Sequence, residues 1–299
     1  IACNEGCYKR ILQQLDVRCS VNATLGKEAE STLRKADPVR RILVIGAGPA
    51  GMEAACRAAE RGHDVTLIEK DAVPGGQLLL ASVPPGRGDI ERFTNHLARR
   101  LARSGVKMIL GEKASSAVVA RLQPDAVILA TGAEPCKLTV PGLRAGQGIT
   151  AWDVLSGKGV SEGPCLVVGA GLVGCETADY LSDRGREVTV VEILSEMACD
   201  ADKDTKAYFG MRFQKNGVKV HTGASLVKME GRYAIIRQGD LEMRVETETV
   251  VFAVGAKPDA CLDDQLVPSG IPVIKAGDCL KPRRLLDSVE EGFQAGNSV

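Results

Sequence analysis

Neither sign of charge is in excess: 38 Lys and Arg face 38 Asp and Glu, and no run of like charges occurs. A basic field able to hold a nucleic-acid backbone or an anionic lipid surface is thereby excluded. Long apolar runs are missing too. None approaches the ~20 residues needed to span a bilayer, and residues 1–15 are too polar for a secretory signal. Aromatic side chains are scarce, with one Trp, four Tyr and five Phe, while glycine reaches 33. That balance suits an α/β protein with many tight strand-to-helix turns. The ten cysteines are scattered, unlike those of a short disulfide-rich scaffold. A cytoplasmic protein with reduced thiols is expected. Apolar content of 44% and charged content of 25% allow a core of normal size, and 299 residues suggest two domains or one large one. The first residue is Ile1 rather than Met, so a piece of a longer or processed protein is expected.

Two stretches repeat. Residues 41–70 read RILVIGAGPAGMEAACRAAERGHDVTLIEK, and residues 165–193 read CLVVGAGLVGCETADYLSDRGREVTVVEI. Each starts with a short apolar run, turns through G-x-G-x-x-G, continues with helical spacing, breaks at Arg-Gly and returns as a β-branched run ending in Glu. Gly46 precedes Glu69 by 23 positions, and Gly169 precedes Glu192 by 23. The same βαβ unit is expected twice.

Dinucleotide binding requires this layout. Gly46 and Gly169 permit the tight turn off the strand, Gly48 and Gly171 let the backbone approach a pyrophosphate, and Gly51 and Gly174 let helix and sheet pack closely. The helix starts, at Pro49-Ala50 and Leu172-Val173, bring unpaired N–H groups and partial positive charge to the phosphates. Glu69, with Lys70 beside it, and Glu192 lie where a carboxylate accepts hydrogen bonds from ribose hydroxyls. A lone G-x-G-x-x-G carries little weight. Here each follows a strand pattern, opens a helix pattern and has its acidic residue in register, which sets aside two ordinary turns that bind nothing. A carboxylate at Glu192 favours a free 2′-hydroxyl, so NADH is expected before NADPH. Arg184 and Arg186 lie just upstream and are read as solvated charges at a helix end rather than a phosphate clamp.

Between the repeats, residues 74–78 read as a turn, 89–104 as an amphipathic helix with Ile90, Phe93, Leu97 and Leu101 on one face, and 107–110 and 125–130 as strands. A Gly-rich link at 141–148 is the expected crossing to a second domain. Beyond the second unit, 203–215 reads as a helix, 218–230, 232–237 and 243–248 as antiparallel strands, and 250–254 and 273–276 as further strands before a helix at 285–295. The expected organisation is a cysteine-rich stub at 1–38, a first domain at 39–150 and 256–299, and a second inserted at 151–255.

This arrangement resembles the two-dinucleotide-binding-domain flavoproteins, the group of glutathione reductase, thioredoxin reductase and ferredoxin reductases. The resemblance rests on the two glycine motifs, Ala130-Thr131-Gly132, Val254-Gly255 and Gly277-Asp278. It implies an α/β fold of two Rossmann-like domains, the second inserted in the first, with FAD at the first motif and NAD(P)H at the second, near Gly255. It places Asp278, after Gly277, by the flavin's ribityl and phosphate, and Gly76, Gln77, Thr131, Gly132 and Glu290 near the ring. A closer similarity, to the C-terminal half of the 2,4-dienoyl-CoA reductase and trimethylamine dehydrogenase family, is carried by Cys3-Asn4-Glu5-Gly6-Cys7, Cys19-Ser20-Val21-Asn22, GAGPAG, Gly75-Gly76-Gln77-Leu78 and GAGLVGCETA, and covers essentially the whole chain. It implies a longer parent with an FMN-bearing barrel and a [4Fe–4S] segment of pattern C-x2-C-x3-C-x11-C, of which Cys3, Cys7 and Cys19 fit the last three ligands. For the chain as it stands, three free thiols are expected.

The implied chemistry is hydride transfer from NADH to FAD, passed in the parent through the cluster to FMN, where an enoyl or dienoyl substrate is reduced. Three other readings stay open. A disulfide reductase would need a reactive cysteine pair beside the flavin, and none follows Gly76. A structural module of the amine-dehydrogenase type would hold ADP at the first motif and use no NAD(P)H. A self-standing electron-transfer subunit similar to the small subunit of glutamate synthase would carry a longer cysteine-rich region.

Overall fold

The structure is a computed structural model of the 299-residue chain; it describes every residue except Glu30, Ser161, Val267, Pro268 and Ser269, and the backbone alone of Asp263 and Asp264. Along the chain, α1 (Tyr8–Leu12) lies in an otherwise irregular N-terminal segment ahead of β1 (Arg41–Ile45). There follow α2 (Pro49–Glu60), β2 (Asp64–Glu69), α3 (Gln77–Ala81), α4 (Gly88–Arg103), β3 (Lys107–Leu110), α5 (Ser116–Leu122), β4 (Ala126–Leu129) and β5 (Ala133–Pro135). Then come β6 (Gly148–Thr150), α6 (Ala151–Leu155), β7 (Cys165–Val168), α7 (Leu172–Asp183), β8 (Val188–Glu192), α8 (Lys203–Asn216), β9 (Lys219–Thr222), β10 (Ala224–Glu230), β11 (Tyr233–Gln238), β12 (Leu241–Glu246) and β13 (Thr249–Phe252). The chain returns through β14 (Ala256–Pro258) to α9 (Asp263–Leu266), β15 (Val273–Lys275) and α10 (Leu285–Ser298).

Two compact units result. The first comprises Ile1–Ser82, Asp89–Glu134 and Lys257–Val299, and the second Val83–Gly88 and Pro135–Ala256. Each holds a five-stranded sheet, ordered β15-β4-β1-β2-β3 in the first and β6-β13-β7-β8-β9 in the second. Every pairing within these sheets is parallel. With the glycine-motif strands β1 and β7 superposed, β2, β3 and β4 match β8, β9 and β13, so the sequence repeat is a four-stranded repeat of topology; the fifth strand differs, β15 coming last in the chain and β6 first.

Parallel strands covered on both faces must be apolar on both faces. In the first unit, Ile42, Val44, Val65, Leu67 and Ile128 join the core of α2, α4 and α10, while Leu43, Ile45, Ile68, Val127 and Leu129 face the opposite core with Val119 of α5. In the second, Cys165, Val167, Val188 and Val190 pack against Cys175 and Ala178 of α7 and Phe209 and Phe213 of α8. The other face is covered by the antiparallel sheet β10-β11-β12 through Met229, Ala234 and Ile236. Helix α4 buries Phe93, Leu97 and Leu101, carries Asp89 and Glu91 in its first turn and Arg100 and Arg103 in its last, and so complements its own dipole. Arg100 also bridges α2, reaching Glu53 at 2.6 Å and Glu60 at 2.8 Å. Burial pushes the Glu53 carboxyl up, and Arg100 opposes that shift.

Three sequence expectations differ from this architecture. The second unit takes in Pro135–Ala256 together with Val83–Gly88 rather than 151–255, and Gly148–Thr150 belongs to its sheet by pairing with β13. The segment 1–38 does not stand apart: it lies in the first unit, where Arg18 and Lys27 both bind Glu290 of α10, at 2.7 and 2.6 Å, and Arg57 of α2 donates to the Ser31 carbonyl. The strand read at 218–230 is two strands broken at Gly223 (φ +61), β9 completing the parallel sheet and β10 opening the antiparallel one.

Candidate functional site

The turn from β1 into α2 is built by close backbone approach. A Cβ on Gly46 (φ +105) would lie 2.3 Å from the Ala130 carbonyl oxygen, and one on Gly51 would lie 1.8 Å from the Gly46 carbonyl oxygen. The second unit repeats this: Gly169 (φ +99) faces the Ala253 carbonyl at 2.4 Å and Gly174 the Gly169 carbonyl at 2.0 Å. Only glycine fits these four positions. Gly48 differs, because its Cβ would meet nothing within 4 Å; the space above it is open. It precedes Pro49 at the first position of α2, with Ala50 buried behind. Gly171 precedes Leu172 and the exposed Val173 in the same way.

The two carboxylates act alike. Glu69 is buried; one oxygen accepts from Ala47 N–H at 2.6 Å and the other from Asp71 N–H at 3.0 Å. Glu192 is buried as well, accepting from Ala170 N–H at 2.5 Å and Leu194 N–H at 2.8 Å. Each therefore fixes the middle residue of its glycine loop to the end of the neighbouring strand. Charge-assisted bonds of this kind are the strong ones. Lys70, next to Glu69, is exposed.

In the first unit the further predicted residues converge on the loop. A Cβ on Gly76 (φ +52) would lie 3.0 Å from Gly48 Cα, and one on Gly277 (φ +77) 2.8 Å from Ala50 Cβ. Gln77 donates from Nε2 to Asp278 Oδ2 at 2.9 Å, and the same amide nitrogen lies 3.8 Å from the ideal Cβ of Gly132. Asp278 also accepts from Arg283 N–H at 3.1 Å, and burial pushes its carboxyl up. Gly48, Gly76, Gln77, Gly132 and Asp278 thus lie together. An uncovered glycine shelf flanked by a helix start, an amide and a half-buried carboxylate fits a dinucleotide with a long polar chain.

Two residues expected near the ring, Thr131 and Glu290, have their side chains engaged elsewhere. Thr131 spends its hydroxyl on the Asp259 carbonyl, at 2.7 Å, so it shapes the turn. Glu290 is held by Arg18 and Lys27 and does not stand free to position a ring. Arg186 donates to the Glu162 carbonyl and Arg184 lies over the Tyr180 ring at 3.7 Å, so both are engaged within the second unit. Gly255 (φ +93) has open space at its Cβ position and turns the chain after β13. Among the described residues, no group of three or more His, Cys, Asp or Glu side chains is arranged to hold a metal ion. Cys3 donates from Sγ toward Ser20 Oγ at 3.5 Å, and Cys7 is exposed. The three cysteines as placed do not fit a cluster. Burial pushes the Cys56 and Cys165 thiols to about 11 and Cys175 to about 12, which keeps them protonated packing groups.

Residues outside the motifs also shape the site. Gly292 of α10 approaches so closely that its Cβ would lie 2.2 Å from the Ala50 carbonyl oxygen. Gly75 donates its N–H to the Ala47 carbonyl at 2.8 Å, and Ala198 donates to the Ala170 carbonyl at 2.6 Å. Both lie 29 positions after the first glycine of their unit. The repeat is therefore longer than the βαβ unit, a signal present in the spacing. Within the described residues, no helix is long and apolar enough to cross a membrane.

Residues 40–279 match the family described as pyridine nucleotide-disulphide oxidoreductase. Over 304 residues and 98% of this chain, the sequence is 39% identical to an NADH oxidase of Thermoanaerobacter brockii, of which it covers 46%. A bilirubin reductase of Mediterraneibacter gnavus is 34% identical over 99% of the chain, which again covers 46% of that protein. Among solved structures, a 2-naphthoyl-CoA reductase in complex with 2-naphthoyl-CoA matches the whole chain and 46% of its own, with a TM-score of 0.94 and 27% identity. The chain spans about half the length of the curated relatives it matches.

Proposed function

This chain belongs to the pyridine nucleotide-disulphide oxidoreductase family, and from that premise we propose that it is an electron-input module whose first unit holds FAD and whose second unit takes up NADH. At the coarser level it is a flavin- and nicotinamide-dependent oxidoreductase module related to an NADH oxidase and to reductases. The observation that carries the finer reading is the nucleotide cradle built twice, with the open shelf at Gly48 adjoining Gly76, Gln77 and Asp278 only in the first unit.

Bound at the first unit, FAD would supply a two-electron acceptor for hydride from reduced nicotinamide, which would leave oxidised. This chain's residues bind and orient. The N-terminus of α2 and the bare backbone at Gly48 receive the pyrophosphate, and Glu69 holds Ala47 so that the loop keeps its shape. Asp278 fixes the Gln77 amide beside Gly132, so that the shelf carries a neutral polar group. Glu192 does for Ala170 what Glu69 does for Ala47, and its charge disfavours a 2′-phosphate, so NADH is preferred over NADPH.

In the longer protein, the proposed acceptor is an FMN-bearing barrel that reduces an enoyl or dienoyl substrate; none of that substrate site lies in this chain. A cluster at Cys3, Cys7 and Cys19 would need a fourth thiolate and these three brought together, and the proposal for this chain does not include it. One observation favours a second reading, a module with structural ADP and no use of NADH: the Asp200 carboxylate accepts from Leu172 N–H at 3.1 Å, at the start of α7.

An anaerobic visible spectrum during titration with NADH, then NADPH, separates the two. Flavin bands that bleach, at lower NADH than NADPH, are the expected result. Absence of flavin bands, with ADP released on denaturation, would sink the hydride-transfer reading in favour of the second.

A further inference from the structure

We propose that Asp200 is an internal anion that competes with nucleotide phosphate at the second glycine loop, making this site one that exchanges its nucleotide while the first retains its own. This rests on the reading that the second unit takes NADH.

The argument starts from register. Gly75 and Ala198 make the same backbone bond to the middle residue of their glycine loops. Two positions beyond each stand Gln77 and Asp200. The repeat thus brings a neutral amide to the first loop and a carboxylate to the second. The amide donates to Asp278. The carboxylate turns onto the loop: Oδ1 accepts from Leu172 N–H at 3.1 Å, and both its oxygens lie 3.8 Å from the ideal Cβ of Gly171.

That N–H is one of the donors a helix start offers to phosphate. In the first unit the matching residue is Pro49, which has no N–H to be capped, and no atom lies within 4 Å of the ideal Cβ of Gly48. Helix α7 is 12 residues long, so its dipole attracts an anion, and Asp200 already supplies one.

The segment carrying Asp200 is held on both sides of that residue. Glu192 holds Leu194 N–H, Ala198 is buried with φ +48, and Asp202 caps α8 through Asp204 and Thr205 N–H groups. A non-glycine residue in the left-handed region costs about 1 kcal/mol or more, so the backbone at Ala198 is held by its surroundings rather than by preference. Asp200 itself is exposed. Displacing the carboxylate from Leu172 N–H therefore exchanges one exposed contact and leaves the backbone of the segment held. A dinucleotide must displace the carboxylate from Leu172 N–H and then remain near its charge. Both effects weaken binding and speed release, as a cosubstrate site needs and a resident-cofactor site does not.

The test measures NADH, ADP-ribose and adenosine binding by calorimetry, for wild type, Asp200→Asn and Asp200→Ser, with flavin content recorded. Both variants keep an oxygen that can accept from Leu172 N–H. Removing one exposed charge beside the loop should tighten NADH and ADP-ribose about fivefold to tenfold and leave phosphate-free adenosine within about twofold. Wild type that binds NADH, with variants no tighter, overturns this inference and leaves the wider reading standing. Equal tightening of adenosine also overturns it, since the effect would then be looseness rather than charge. Unfolding of both variants would assign Asp200 to the fold alone and overturn it too. No NADH binding by any of the three overturns both this inference and the reading of the second unit.

Discussion

An alanine at Gly48 adds one methyl group where no atom lies within 4 Å of the ideal Cβ. The residue has φ −72 and ψ −179, extended backbone that alanine adopts without strain. Folding stability of Gly48→Ala should therefore match the wild type or exceed it by about 0.4–1 kcal/mol, through reduced freedom of the unfolded chain. The same methyl group at Gly51 would stand 1.8 Å from the Gly46 carbonyl oxygen and 3.3 Å from Ala130 Cβ. Helix and strand must part to admit it, at a cost of about 3 kcal/mol, a large share of the ~5–15 kcal/mol that holds a domain folded. Urea unfolding of the flavin-free proteins, followed by reconstitution and a flavin-to-protein ratio, measures both effects. Gly48→Ala should keep its urea midpoint and lose at least about tenfold in FAD affinity, because its methyl fills the space a pyrophosphate needs. Gly51→Ala should unfold at lower urea. Flavin bound at full affinity by Gly48→Ala, or an unchanged midpoint for Gly51→Ala, would refute the assignment of these two glycines.

Other perturbations test the surrounding structure. Glu192→Gln sets an amide NH2 against a backbone N–H of Ala170 or Leu194, so the second unit should lose about 2 kcal/mol in thermal or urea unfolding; an unchanged transition would show that the latch carries no stability. Arg100→Met leaves the buried Glu53 carboxylate without its partner and should cost about 3 kcal/mol. That loss is absent in acid, where Glu53 is protonated in both proteins, and grows only once pH passes the folded wild-type pKa, which burial places above 4.5, so a pH-independent loss would contradict it. Asp278 follows the same sign. Its carboxyl is raised above 3.8, so the folded state is most favoured at low pH and loses that contribution as pH rises. Asp278→Asn should therefore gain stability relative to wild type between about pH 4 and pH 7; a relative loss over that range would overturn the desolvation argument. In the native protein, exposed Cys7, Cys199 and Cys261 should react with a thiol reagent while buried Cys56, Cys165 and Cys175 stay protected until denaturant is added. Early reaction of the second set, followed by peptide mapping, would show that the cores open locally.

Much of the fold was legible because its signals are local. The glycine spacing, the Glu at the next strand's end and the continuous apolar runs of β1, β4 and β7 each reflect a constraint acting within a few residues. The helix at 89–104 was readable from Phe93, Leu97 and Leu101, which mark one face at helical period. Less legible features depend on distant partners. Residues 218–230 show strand spacing throughout, and only a neighbouring strand decides that Gly223 divides two sheets. That Gly148–Thr150 belong to the second unit is decided by their pairing with β13, about which residues 141–148 say nothing locally. Within the site, the glycines, Glu69 and Glu192 follow from spacing. Glu290 does not, since its partners Arg18 and Lys27 come from the far end of the chain. Asp200 was missed because the repeat was followed only to the acidic residue, whereas its register continues past Gly75 and Ala198.

The packing of α10 on α2 bears on the order in which the protein becomes complete during synthesis. Gly292 and Gly296 let α10 lie against the backbone of Ala50 and Ala54, the first turns behind the nucleotide loop. The first unit's sheet likewise takes β15 beside β4. These closing pieces lie beyond the whole second unit in the chain, so the ribosome delivers the second nucleotide fold, intact, before the first can finish. The first glycine loop must wait, with Ala50, Ala54 and Ala58 uncovered, for the last part of the sequence to emerge. A nascent chain stalled before α10 would thus be expected to acquire a native second unit while remaining unable to load flavin, and to be the species that chaperones and proteases meet.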